Sequence, residues 1–270
     1  MIRKLLFFDI DHTITSEVDE SIPASAILAI REARSRGHLV FVNTGRCIQT
    51  VAPAILDIGF NGIVCGCGSS IYMDGRKVMS APIDSAWNSI LTEAALDCHI
   101  DLLFEGEEAM SFVFGAGETL RRTMHHYRNY QRLGMRMMDS LDPEFRFIKF
   151  CACFRNPEDM KRFRETSDRY FYCIDRDVAG GDYLCELVPL GYTKASGIRW
   201  VQDYFGVSRE DTYAFGDSNN DLTMFEGVGH GIAMGNCDSP LLLARAEYVT
   251  GKASEDGLAA ALRHYGMIDS

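Results

Sequence analysis

Near its amino end the chain reads FFDIDHT, which sets two carboxylates, Asp9 and Asp11, two residues apart where an apolar run ends. Neighbouring carboxylates can divide their labour, one ionised as nucleophile and metal ligand, the other holding a proton for a leaving group. A strand-end turn with two solvated aspartates is spelled the same way. Far along the chain, GDSNNDLTMF puts Asp217, Asn220 and Asp221 between the apolar TYAF and a helix; alone, this is also an Asp/Asn-rich helix cap. Two acidic strand ends in one sheet repel each other unless a cation sits between them, and clustered hard oxygens suit Mg²⁺. VNTGR ends another apolar run with Thr44, Gly45 and Arg46. The Thr44 hydroxyl and the backbone N–H groups of the Thr44-Gly45 turn can receive phosphate oxygens, although an ordinary strand-to-helix turn uses the same residues. In PLGYTKASG, Lys194 opens a helix, where the dipole disfavours a cation. A phosphate to neutralise accounts for it, as does a merely solvated lysine.

These residues need a frame that brings them together. Residues 5–10, 38–43 and 62–65 are mostly apolar runs of strand length, with helical spacing from Pro23 to a closing Gly37 and again over 50–58. That βαβαβ order implies right-handed crossovers and a parallel sheet with helices on both faces. Ligands of such sheets bind beyond the carboxyl ends of the strands, where Asp9, Asp11, Thr44 and Asp217 fall. IYMDGRKV reads as a hairpin around Asp74-Gly75. From Pro82 the pattern changes to helices at 85–99, 118–132 and 157–167 and strands in DLLFEG, MSFVFG, FIKFCACF, YFYCI and DYLCELV, an open-faced α+β layer. After Val188 the doubly wound rhythm returns, with helices at 194–205, 222–226 and 255–265 and strands at 212–216 and 231–234. The predicted class is α/β: a doubly wound, Rossmann-like parallel-sheet core of residues 1–82 and 185–270, interrupted by an α+β cap of 83–184.

In order and spacing, Asp9-Ile10-Asp11, the Thr44 turn, the Lys194 helix and GDSNND resemble the motifs of the haloacid dehalogenase-like hydrolases, and within them the Cof-type sugar-phosphate phosphatases, over the whole chain. The resemblance implies that Asp9 is nucleophile and Mg²⁺ ligand, and that Asp11 is general acid and base with its backbone carbonyl on the metal. It implies that Asp217 completes the protein ligands and that Asp221 supports the metal or orients Lys194. Thr44, Gly45, Lys194 and Asn220, with the backbone N–H of Ile10, would hold the transferring phosphoryl group. In enzymes of this type a cap loop closes over the core and contacts the leaving group, a contact for which Arg46, Glu105, Arg155 and the Gly180-Gly181-Asp182 turn are candidates. One position departs from the pattern: the family has glycine after the second aspartate, and His12 stands here, as a tolerated solvated side chain or one that touches substrate or Asp11.

Composition bounds the rest. The 270 residues are 47% hydrophobic and 24% charged, an ordinary globular balance that excludes disorder, collagen and coiled coil. A net charge of −11 offers no basic field for nucleic acid or an acidic membrane, so the expected partner is a small phosphorylated metabolite, with a monomer or weak dimer as oligomeric state. Nine cysteines and no secretory leader suit reduced thiols in the cytoplasm. The C-x-C pairs Cys65/Cys67 and Cys151/Cys153 and the adjacent His125-His126 lack zinc-site spacing. The basic stretch from Arg121 to Arg132 reads as a solvated helix face, or as a surface for phosphate or a partner. The expected activity is a Mg²⁺-dependent phosphomonoesterase working through an aspartyl phosphate. Alternatives are a phosphotransferase or mutase on the same fold, and a phospho-aspartate signalling or sensor protein; a receiver domain is shorter and has no use for Asp11 or an inserted cap.

Overall fold

The computed structural model describes residues 3–117, 120–179 and 181–269. In chain order, the first stretch forms β1 (Leu5–Phe8), α1 (Ala24–Ser35), β2 (Leu39–Asn43), α2 (Pro53–Leu56), β3 (Gly62–Cys65), β4 (Ser70–Met73) and β5 (Arg76–Ser80). The middle forms α3 (Ala86–Asp97), β6 (Asp101–Glu105), β7 (Met110–Phe114), α4 (Arg121–Arg132), β8 (Lys149–Phe154), α5 (Pro157–Ser167), β9 (Phe171–Ala179) and β10 (Asp182–Pro189). The last forms α6 (Lys194–Phe205), β11 (Thr212–Gly216), α7 (Leu222–Gly227), β12 (His230–Ala233), α8 (Pro240–Leu243), β13 (Tyr248–Val249) and α9 (Gly257–His264).

Two compact units result. The first, Met1–Arg46, Thr50–Ser80 and Tyr192–Ser270, is built on an eight-stranded sheet ordered β13-β12-β11-β1-β2-β3-β4-β5. Its strands run parallel from β13 through β3, and the β4–β5 hairpin closes one edge antiparallel. The continuous apolar runs LLFF and LVFVN are wholly buried, as central strands covered on both faces must be. Phe8 stacks on Phe215 of β11 at 4.7 Å between ring centroids and Phe7 meets Phe41 of β2 at 5.7 Å, so the core locks the three strands in register. Phe8 is the register partner of both Phe215 and Val42, which brings the carboxyl ends of β1, β2 and β11 side by side.

The second unit, Cys47–Gln49 and Ala81–Gly191, carries a five-stranded antiparallel sheet ordered β7-β6-β8-β10-β9. Alternation along its strands sends Leu102, Phe104, Phe150, Ala152 and Leu187 into a core with Leu91 and Phe163 from α3 and α5. Their neighbours Leu103, Cys151, Cys153 and Leu184 point to the opposite face, where they cluster with Leu120. The same face buries an ionic group: Lys149 Nζ donates to a carboxylate oxygen of Glu186 and lies 3.0 Å from Glu105 Oε2.

Three expectations shift at element ends. The helix expected over 50–58 is a 3₁₀ turn at Ile48–Thr50 followed by the short α2, because Pro53 lacks the N–H a continuous helix requires. The return to the first unit comes at Tyr192 and not at residue 185, because β10 stays paired with β9 through Pro189. Helix α4 begins at Arg121; the earlier start expected at Glu118 lies outside the described residues. Among the described residues no helix is long and apolar enough to cross a membrane.

Helix α6 opens with a reciprocal capping box between Thr193 and Ser196 and ends at Gly206 with a positive φ of 63°. Its first turn sits hard against Gly68, where φ is +92° and a Cβ would lie 2.2 Å from the Thr193 carbonyl oxygen. At Gly75 φ is +70° but nothing lies within 4 Å of an added Cβ. Gly75→Ala therefore loses only the conformational contribution, about 1 kcal/mol, whereas Gly68→Ala also displaces α6. Urea denaturation is expected to show the second costing clearly more than the first, and equal losses would contradict the close packing of α6.

Candidate active site

Three strand ends of the first unit supply the site. Asp9 follows β1 and is 3% exposed; its backbone N–H donates to Phe215 O at 3.0 Å, which ties the acidic turn to β11. Asp217 follows β11 and Thr44 follows β2, both buried. Lys194, the first residue of α6, is 1% exposed, and Asn43 Nδ2 donates to its carbonyl oxygen at 3.0 Å. Its ammonium donates to Asp9 Oδ1 at 2.7 Å and to Asp221 Oδ1 at 2.6 Å. The lysine expected at a helix start is thus neither solvated nor free of carboxylates. Burial acts to lower its proton affinity, but the Asp221 and Asp9 charges override that and hold the ammonium firmly charged.

Asp221 touches the lysine directly. One oxygen takes Lys194; the other accepts the backbone N–H groups of Asp217 at 2.9 Å and Ser218 at 3.2 Å. Both its oxygens are engaged, so it fixes Lys194 and the GDSNND turn. A Cβ on Gly216 would lie 2.5 Å from Asp221 Cγ, which explains the glycine there. Asp217 keeps more freedom: Thr13 Oγ1 donates to its Oδ1 at 3.3 Å, and His12 Nδ1 lies 3.8 Å from its Oδ2.

Oxygen atoms of Asp9, Asp217 and Asp221 lie within 4.8 Å of one another. One ammonium faces three buried carboxylates. With no further cation, burial and then the Asp221 and Asp9 charges push Asp217 up to about 8, and burial also raises Asp9 against the pull of Lys194. Such oxygen-only, uncompensated donors fit a hard divalent cation.

Asp11 stands apart from this cluster. Its side chain is 52% exposed and is held by the fork of Arg46, Nη2 to Oδ1 at 2.6 Å and Nε to Oδ2 at 3.0 Å. Arg46 in turn donates through Nη1 to Thr50 O at 3.1 Å, and its backbone N–H donates to Thr44 Oγ1 at 3.1 Å. Gly45 lies inside that turn, and the Ile10 carbonyl accepts the Thr15 N–H at 3.0 Å. Asn220 is half-buried, its Oδ1 accepting from Ser218 Oγ at 2.8 Å. Thr13, Asn43 and Asn236, whose Nδ2 donates to His12 O at 2.8 Å, also position the site; no spacing rule singles them out, because their partners are remote in sequence.

The other leaving-group candidates belong to the second unit. Glu105 is buried beside Lys149 and accepts from Tyr130 OH at 3.2 Å. Arg155 donates from Nη2 to the fully buried Asp182 at 2.9 Å. Gly181 has φ of +87°, and Gly180 lies outside the described residues. Glu105 and Arg155 are therefore engaged in separate ion pairs. All nine cysteines are free thiols and none joins a metal-type cluster among the described residues.

A profile of haloacid dehalogenase-like hydrolases matches residues 6–262. YkrA of Bacillus subtilis is 30% identical over 99% of this chain and all of its own. The HMP-PP phosphatase of Serratia proteamaculans is 27% identical over 97% of this chain and 95% of its own. Among solved structures, a Geobacillus kaustophilus protein aligns with a TM-score of 0.83 and 26% identity over 99% of this chain and 100% of its own. A Bacteroides thetaiotaomicron phosphatase of the same superfamily aligns at 0.82 and 22% identity over 99% and 96%, a likeness of fold. With the profile spanning nearly the whole chain and the carboxylate–lysine cluster standing at the strand ends, the chain belongs to the haloacid dehalogenase-like hydrolase family.

Proposed function

We propose that this hydrolase is a Mg²⁺-dependent phosphatase that cleaves phosphomonoesters of small metabolites, sugar phosphates foremost, through an aspartyl phosphate on Asp9. The observation that carries the reading is the Lys194 ammonium lodged between Asp9 and Asp221 with Asp217 alongside. The named relatives support the substrate class: besides the HMP-PP phosphatase, YitU of Bacillus subtilis, 26% identical over 97% of both chains, is a 5-amino-6-(5-phospho-D-ribitylamino)uracil phosphatase. The free thiols and acidic charge suit a cytoplasmic enzyme. We assign the choice of ester to the inserted unit, since the strand-end residues are matched to a phosphoryl group alone.

In the proposed reaction Asp9 attacks phosphorus, an Asp9 O–P bond forming as the ester P–O bond breaks. Asp11, swung out of the Arg46 fork, takes up a proton from solvent and gives it to the departing oxygen. It then takes a proton from the water whose oxygen attacks phosphorus, which returns Asp9 and releases inorganic phosphate. Lys194 has three N–H donors and spends two on Asp9 and Asp221, so the third remains for a phosphoryl oxygen. Thr44, Asn220 and the N–H groups of Ile10 and Gly45 receive the other equatorial oxygens. Asp9, Asp217 and the Asp11 carbonyl would hold Mg²⁺, with Asp221 supporting them; when bound, the ion supplies positive charge against the developing negative charge on the phosphoryl oxygens.

Purified protein is expected to release phosphate from members of a phosphorylated-metabolite panel, with EDTA stopping release and Asp9→Asn lowering turnover at least about a thousandfold. No EDTA-sensitive release from any ester would sink the reading; transfer to an added sugar in place of water would make it a phosphotransferase, and a stable phosphoprotein a signalling protein.

A second test needs no substrate. Asp217 binds its proton more tightly in the folded chain, up to about 8, than at its ordinary value of 3.8, so between those values the folded state carries the extra proton. Raising the pH through that window removes it at a cost in folding stability. Without divalent metal, the melting temperature is expected to fall progressively from about pH 4 to about pH 8. Mg²⁺ is expected to flatten that slope and to release protons on binding. Identical slopes in EDTA and in Mg²⁺ would remove the metal from this cluster.

A further inference from the structure

Helix α4, RRTMHHYRNYQR, holds four arginines and two histidines and no acidic residue, in a chain of net charge −11. Its inner face is used for packing: Thr123 Oγ1 donates to Asp101 Oδ2 at 2.7 Å, and Tyr130 is buried with Met110 and Ile148. The helix start is satisfied from outside, Asp182 Oδ2 accepting the Arg122 N–H at 3.3 Å. Arg121, His125, Arg128 and Arg132 recur at i, i+4, i+7 and i+11, which is one face of a helix. All four are exposed, and among the described residues none of their side chains makes a hydrogen bond or ion pair. With Met124 they line a cleft of about 370 Å³.

Local physics works against this arrangement. Arginine in the first turn opposes the helix dipole, and the like charges of Arg128 and Arg132, four residues apart, destabilise a helix by a few tenths of a kcal/mol. Several arginines elsewhere among the described residues are matched with an acid: Arg46 with Asp11, Arg155 with Asp182, Arg164 with Asp168. The α4 stripe gathers three arginines and a histidine around a cleft whose lining residues include no acid. Asp182 answers the helix start, but the outer guanidiniums have no acid among the residues that line the cleft, and a local rule broken in this way is expected at functional sites.

The cleft volume falls in the range of small-molecule sites. Its cations stretch over about 16 Å of helix at 1.5 Å per residue, too long for one phosphate to engage. A guanidinium fork can take a pair of oxygens from one anionic group, so a face with three of them can engage two or more such groups at once. A nucleic acid is disfavoured, because one helix face cannot offset the repulsion from a strongly acidic molecule. We propose that the Arg121, His125, Arg128 and Arg132 face of α4 binds a linear polyanion of small-molecule size carrying two or more consecutive phosphoryl groups. This site lies on the second unit and does not depend on hydrolysis at Asp9.

The probe is inorganic tripolyphosphate, titrated calorimetrically into the Asp9→Asn protein in EDTA, so that neither turnover nor metal chelation contributes. One ion is expected to bind per chain, at least about tenfold tighter than orthophosphate, and more weakly as salt is raised. Arg128→Gln/Arg132→Gln is expected to lose at least about tenfold in affinity, while the same pair of changes in the Asp9 protein leaves Mg²⁺-dependent ester cleavage intact, which certifies the fold. Should the glutamine variant fail to fold, Arg128→Lys/Arg132→Lys keeps the charge, removes the forks, and is expected to bind measurably weaker. Tripolyphosphate binding that is indifferent to these substitutions overturns the proposal, as does equal affinity for orthophosphate, which would mean an adventitious ion only. Sedimentation in which the glutamine variant dissolves a dimer would give the face to a second copy of the chain and equally overturn it.

Discussion

The first unit turns on one buried ammonium set against three buried carboxylates. Lys194 reaches Asp9 at 2.7 Å and Asp221 at 2.6 Å from the first residue of a helix, the end where the dipole repels it. Its position has to be enforced, and several features enforce it. Thr193 and Ser196 cap the helix reciprocally, Asn43 holds the Lys194 carbonyl, and glycines at 68 and 197 let α6 approach β3 more closely than any Cβ would allow. Withdrawing the ammonium would leave Asp9 and Asp221 as uncompensated buried charges, a loss of several kcal/mol. The strand order follows from the same demand, since β1 must lie between β11 and β2 for Asp9, Asp217 and Thr44 to share one edge.

Much of this was legible in the chain because it is written locally. Asp9-Ile10-Asp11, GDSNND, VNTGR and a lysine at a helix start each combine a strand end with a polar turn, and βαβ topology sends strand ends to one edge whatever the intervening sequence. What was not legible depends on partners far away in sequence. Arg46 and Asp11 are 35 residues apart, Asn236 and His12 224 apart, and no spacing rule pairs them. The second oxygen of Asp221 accepts two backbone N–H groups, which is a property of a turn's path. The end of the inserted unit is set in the same way: DYLCELVP reads as a strand of the α+β layer, and its pairing with β8 and β9 through Pro189 carries that unit past residue 185.

His12 shows how a departure from a family pattern can be absorbed. Its φ of 57° lies in the left-handed region, which explains the glycine otherwise expected there and costs another residue roughly 1–2 kcal/mol. The surrounding loop bears that cost. Thr15 Oγ1 accepts the His12 N–H at 3.1 Å and Asn236 donates to its carbonyl at 2.8 Å, so both backbone groups are held. The ring stays half-exposed, 3.8 Å from Asp217 Oδ2. It adds a side chain beside the carboxylate cluster without displacing any of the cluster's hydrogen bonds.

Asp9 and Asp11, two residues apart, occupy opposite conditions, and the difference bears on how the proposed reaction is gated. Asp9 is buried and locked by Lys194, so the proposed nucleophile is set in place by the fold itself. Asp11 is half-exposed, with both oxygens in the Arg46 fork, and an acid so engaged cannot reach a leaving group. Arg46 is also bound to the turn that would receive phosphate, since its own N–H donates to Thr44 Oγ1. A leaving group drawing on the guanidinium would compete for the contacts that restrain Asp11. In the proposed reaction the binding event that brings the ester to Asp9 would thus also free Asp11, so that acid and nucleophile come into play together.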